Sequence, residues 1–193
     1  MKLRHIFVLG LFVLFSQLAV AKKSSVEFDR ESDLIPPDIL YLRKALEAQE
    51  DGFRDSAMRY FKKSAAFGNN DAKYFVGIMN IQEKDWAEGY AWLKLVPAGT
   101  VEIDKTMPQI ESLIKEGEKS SGMKKYEKLI KKYNADMELK HREEWASNIE
   151  VTGTRQKGLS AMRGVTVQTQ YGRVITGSDL QRMVKEFVYE YGN

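Results

Sequence analysis

The 193-residue chain contains no cysteine and only two histidines. The first lack excludes a disulfide framework, on which small exported domains rely when their core is too thin. A chain of this length buries enough apolar surface to fold without one, as a single domain or one domain with a small appendage. The scarcity of histidine, added to the lack of cysteine, leaves no nitrogen and sulfur cluster for a zinc site. His5 lies near the N-terminus, and His141-Arg142-Glu143-Glu144-Trp145 lacks the second histidine of a zinc-binding helix. Charge of one sign is lacking too. The formal net charge is +3, and Lys2 and Arg4 supply two of it. A globally basic nucleic-acid binder has a different balance, so no nucleic-acid partner is expected.

Catalytic motifs are equally sparse. Gly158-Leu159-Ser160-Ala161-Met162 lacks the glycine that a nucleophile elbow needs two residues after its serine. Gly153 and Gly158 are too few to cradle a phosphate, and no glycine-lysine-serine motif follows a strand. Paired carboxylates such as Asp51 with Asp55, or Glu143 with Glu144, could perform acid–base work. Charged helix faces supply such pairs everywhere, and a carboxylate-based hydrolase would require a deep acidic cleft. The expectation is a non-catalytic protein with no catalytic residues, cofactor or metal.

The apolar material begins at residues 1–21. A basic head, MKLRH, precedes the run IFVLGLFVLFSQLAV, and Ala19-Val20-Ala21 forms a small-x-small cleavage site. That order reads as a secretory signal peptide. Ser16 and Gln17 leave the run short for a membrane span of about 20 residues. No cysteine follows it to carry a lipid. The expected product is periplasmic or secreted, with no stable membrane span after cleavage. Residues 22–37 are polar and read as a flexible linker. Pro36-Pro37 ends it, the second proline suiting the first turn of a helix.

Residues 38–99 repeat. Tyr41, Leu42, Ala45, Leu46 and Gln49 match Tyr74, Phe75, Ile78, Met79 and Gln82 at a shift of 33. Ala57, Tyr60, Phe61 and Lys63 match Gly89, Trp92, Leu93 and Leu95 at a shift of 32. A period in the low thirties marks stacked helical hairpins. Four helices are expected, at residues 38–49, 54–67, 71–82 and 85–96, with Gly68-Asn69-Asn70 stopping the second. Small residues at Ala57, Ala65, Gly77 and Gly89 would let neighbouring helices approach closely, and Tyr41 and Tyr74 would occupy equivalent surroundings.

On these residues the chain resembles the Sel-one-like repeat family, a relative of the tetratricopeptide repeat. Ala72 to Met79 resembles its first helix. Ala57, Tyr60, Phe61, Lys63, Ser64, Ala65 and Gly68 resemble its second, as does Gly89 to Leu95. Asn80 stands where that family carries an aromatic residue, and Glu83-Lys84-Asp85 replaces its longer glycine-rich loop. The resemblance covers about a third of the chain and implies a protein–protein adaptor built from antiparallel helix pairs.

Residues 100–147 read as capping helices over 104–117 and 123–145, because a solenoid needs a terminal pair with a polar outer side. The face from Lys124 to Lys140 is basic, with acids interspersed. It reads as a solvated surface, or alternatively as a binder of an anionic envelope polymer. Residues 148–193 differ in kind. Ile149 to Thr152 alternates as a short strand; Gly164 to Tyr171 and Val174 to Thr176 form a hairpin. Ser178 and Gln181 form a capping box for a final helix. Leu180, Met183, Val184, Phe187, Val188 and Tyr191 make one apolar stripe along it.

The fold class expected is mainly α: a short α–α solenoid of antiparallel helix pairs with a C-terminal α+β appendage of hairpin and helix. The function expected is that of an exported adaptor holding another protein, itself in the cell envelope, on its helical surface. Trp86, Tyr90 and Trp145 are the candidate anchors, since interface hot spots favour Trp, Tyr and Arg. Their alternative place is the repeat core.

Overall fold

The structure is a computed structural model, and it describes residues 26–151 and 156–191. The expected signal peptide therefore lies outside the described residues. Eight α-helices run through them: α1 (Pro37–Glu50), α2 (Arg54–Ala66), α3 (Asn70–Gln82), α4 (Trp86–Leu93), α5 (Val101–Leu113), α6 (Glu116–Leu129), α7 (Ala135–Ser147) and α8 (Gly177–Lys185). A widened, π-helical turn at Glu186–Glu190 extends α8. Two antiparallel hairpins accompany them, β1 (Glu27–Phe28) with β2 (Leu34–Ile35), and β3 (Thr166–Gln168) with β4 (Val174–Thr176). The architecture is mainly helical, with successive helices packed as antiparallel pairs.

The two helix pairs turn in a similar way. Gly52 turns α1 into α2 at φ +78°, and Lys84, 32 positions on, turns α3 into α4 at φ +66°. Lysine pays a steric penalty there that glycine escapes. Side-chain caps finish the starts: the Asn69 carboxamide accepts from the Ala72 N–H at 2.9 Å, and the Asp85 carboxylate from the Glu88 N–H at 3.0 Å. Gly77 and Gly89 bring α3 and α4 together. A Cβ on Gly89 would lie 2.8 Å from the Gly77 carbonyl oxygen, and one on Gly77 would lie 2.7 Å from Leu93. Tyr41 and Tyr74 diverge, contrary to expectation. Tyr41 stacks on Tyr60 and Phe67, whereas the Tyr74 hydroxyl reaches Thr106 of α5. Units at the two ends of a short array meet different neighbours.

Three apolar clusters form. The first gathers Ala57, Phe61, Ala65, Ala72, Val76 and Trp92 between α1 and α4. The second joins Tyr90, Leu93 and Val96 to Ile103 and Ile110 of α5 and to Ile114 at its end. The third holds the stripe of α8, with Leu180, Val184, Phe187 and Val188 buried against Ala146, Ile149 and Met162. Each fully buried large side chain contributes about 1.5–3 kcal/mol relative to exposure.

The structure corrects five expectations. Residues 26–37 do not behave as a linker, because Phe28 and Leu34 are buried in the third cluster and the Gln170 carboxamide donates to the Phe28 carbonyl. The segment 123–145 is two helices, broken where Asn134 caps α7 by accepting from the Met137 N–H at 2.9 Å. In consequence α7 joins another cluster: its Leu139, Trp145 and Ala146 pack with α8. The start of α8 is capped by Thr176, whose hydroxyl accepts from the Asp179 N–H at 3.2 Å, while Gln181 donates to the Leu159 carbonyl. Around Ile149 the described residues form one bridge, Glu150 to Lys157, and Thr152 lies outside them.

Candidate functional site

The most suggestive concavity opens where α4 ends. The chain leaves α4 through Lys94 to Ala98, turns at Gly99 (φ +94°) and enters α5, capped by Thr100. Gly122 seats α6 beneath this corner, since a Cβ there would lie 2.9 Å from the Tyr90 ring and 3.0 Å from the Ala87 carbonyl. The resulting groove has a volume of about 650 Å³. Its floor is apolar, made by Leu93, Val96, Ile103, Met107 and Tyr126, with Pro97 and Pro108 at the sides. Lys94, Asp104 and Glu111 stand exposed at the rim. The Asp104 carboxylate accepts from the Gly99 N–H at 3.1 Å. The Tyr90 hydroxyl donates to Glu111 at 3.3 Å. Burial raises the Tyr90 phenol above its ordinary value, and the negative charges of Glu111 and Glu116 add to this. An apolar floor with few polar groups is the usual form of a binding site.

A second groove, about 790 Å³, runs between the α2–α3 turn, α7 and the C-terminal segment. Polar groups crowd beside it. Asp38, fully buried, accepts from the Tyr191 hydroxyl and from the Asn69 amide at 3.2 Å. Lys73, 5% exposed, lies 2.8 Å from Glu138 and donates to Asn70 at 3.0 Å. Arg142 donates to the carbonyls of Val188 and Phe67 and spans the ring of Tyr191 at 5.4 Å. Burial and the neighbouring Asp38 charge raise the Tyr191 phenol well above its ordinary value. These bonds tie the repeat to the C-terminal segment, so this groove reads as a structural junction.

The three expected anchors do not form one site. Tyr90 is 2% exposed and lines the second cluster, and Trp86 packs half-buried against the same cluster. Trp145 lies half-buried in the third cluster, edge-on to Phe187 at 5.5 Å between centroids. All three serve the core in part, because each sits on the inward face of its helix. The basic face is thinner than its composition implied. Arg142 turns inward, and Lys125 pairs with Glu88 at 2.8 Å, leaving Lys124, Lys128, Lys131, Lys132 and Lys140 exposed.

The groove residues Pro108 and Glu111 were not singled out by sequence reasoning, and Met107 stood out only as one of the apolar positions of the helix expected over 104–117. The one available signal was Pro108 inside a helical pattern. Among the described residues there is no group of three or more histidine, aspartate or glutamate side chains poised to hold a metal ion. Nor is any helix there long and apolar enough to cross a membrane. No family model, curated protein or solved structure matches the chain.

Proposed function

We propose that this protein is an exported, non-catalytic adaptor whose helical-repeat surface holds a second, envelope-located protein. The observation that carries the reading is the groove at the corner of α4, α5 and α6, with its apolar floor and charged rim. The antiparallel pair α3–α4, in close approach at Gly77 and Gly89, and the pair α1–α2 packed beside it support that corner. The same pairs favour kinship with the Sel-one-like repeats. Export rests on the leader-like order of residues 1–21.

The test is an affinity pull-down from envelope extract with the chain from residue 22 onward, beside a Met107→Glu variant. A stoichiometric protein retained by the native chain, and lost when a charge enters the groove floor without lowering the melting temperature, supports the reading. Equal capture by both forms overturns the choice of groove; capture of nothing overturns the adaptor role. A second reading, an anionic-polymer binder, rests on exposed Lys124, Lys128 and Lys131 at spacings of four and three on α6 and the turn after it. Its affinity would fall steeply with salt.

A further inference from the structure

Resting on that adaptor reading, we propose that the α4–α5–α6 groove selects a polypeptide segment carrying apolar side chains between two cations. Asp104, Met107, Pro108 and Glu111 recur on α5 at spacings of three, one and three, so they share one face along the groove. The two carboxylates stand seven residues apart, about 10.5 Å along the helix axis, with the apolar pair between them. A partner helix with leucines flanked by lysines seven positions apart has the complementary spacing.

Three further features favour cations. Pro108, which lines the groove, has no N–H, so the Asp104 main-chain carbonyl lacks its helical partner. The C-terminal end of α4, the negative end of its dipole, also lines the groove, although the Tyr90, Trp92 and Leu93 carbonyls there accept from the N–H groups of Lys94, Leu95 and Val96. Glu116 adds its charge near Tyr90. Against these stands Lys94, the one cation among the described residues lining the groove. The balance disfavours an acidic occupant, and the exposed apolar sides disfavour a purely polar one.

Fluorescence anisotropy with the chain from residue 22 onward tests this on three synthetic peptides. The first places Leu-Leu midway between lysines seven positions apart; the second replaces the lysines by glutamates; the third replaces Leu-Leu by Ser-Ser. Only the first is expected to bind measurably, and more weakly as salt rises. The Asp104→Asn/Glu111→Gln double variant keeps the acceptors for Gly99 and Tyr90 but removes both charges. It is expected to weaken binding roughly fivefold, each exposed pair being worth a modest factor. Binding of the glutamate peptide as tightly as the lysine peptide, or an unchanged double variant, overturns the proposal. If no peptide binds while the pull-down still recovers a Met107-dependent protein, the charge rule falls and the adaptor reading stands.

Discussion

Tyr191 and Asp38 are separated by most of the chain yet share a hydrogen bond, which joins the C-terminal segment to the first helix. Removing the hydroxyl in Tyr191→Phe leaves Asp38 buried with one donor fewer, its other oxygen already lacking a partner. The expected cost is about 1–3 kcal/mol in urea unfolding at neutral pH. Because the folded state holds the Tyr191 phenol above its ordinary value of 10, its contribution is complete below pH 10 and declines as pH rises past it. The phenylalanine variant is therefore expected to lose less stability than the native chain between pH 9 and about 11. Glu88 works at the acid end. Burial pushes its carboxyl up, but the hydrogen bonds from Lys125 and Trp92, with the charges of Lys125 and Lys62, hold it below the ordinary 4.5. Its contribution is complete above that value and disappears as pH falls through the lower folded one. Melting curves from pH 7 down to about 3 are expected to show a smaller acid decline for Glu88→Gln.

At the scale of the element, close approach decides more than propensity. Gly77 lies against Leu93, and any added carbon must displace that side chain or its backbone. Gly77→Val is expected to cost roughly 1–3 kcal/mol or more, measured by chemical denaturation, with helix content nearly unchanged. Phe187 tests a different packing. It touches Phe67 of the repeat, Trp145 of α7 and Tyr191 at once. Phe187→Ala is expected to cost about 3–5 kcal/mol in the same measurement. Both elements were legible beforehand: the glycines by their place in the repeat, the stripe of α8 by its period. Less legible were the element boundaries. Thr176 rather than Ser178 caps α8, because the helix already begins at Gly177, which packs so closely on Met162 that a Cβ would overlap its carbonyl. The break between α6 and α7 was hidden because apolar residues continue at helical spacing through it, with Tyr133 turned onto Trp92 at 4.6 Å.

For the whole molecule, the N-terminal hairpin matters most to how the parts cohere. Its Phe28 and Leu34 fill the cluster beneath α8, and its Glu27 pairs with Arg43 of α1 at 3.3 Å. A chain beginning at Pro37 is expected to bind a hydrophobic dye and to melt at a lower temperature than one beginning at residue 22. Equal melting of the two would show that the hairpin adds nothing. Sequence alone determined the helical class, the antiparallel helix pairs of residues 38–99 and the apolar stripe of the last helix. Those follow from local periodicity and from glycines and asparagines at turns, which act within a few residues. Tertiary structure decided the rest. It drew a polar N-terminal stretch into the core, because two apolar residues suffice when α8 offers a face to cover. It turned Tyr90 inward and left Met107 and Pro108 lining an open groove, because which side of a helix is covered depends on the helix beside it. No spacing within one helix carries that information; it arises only when α4, α5 and α6 meet.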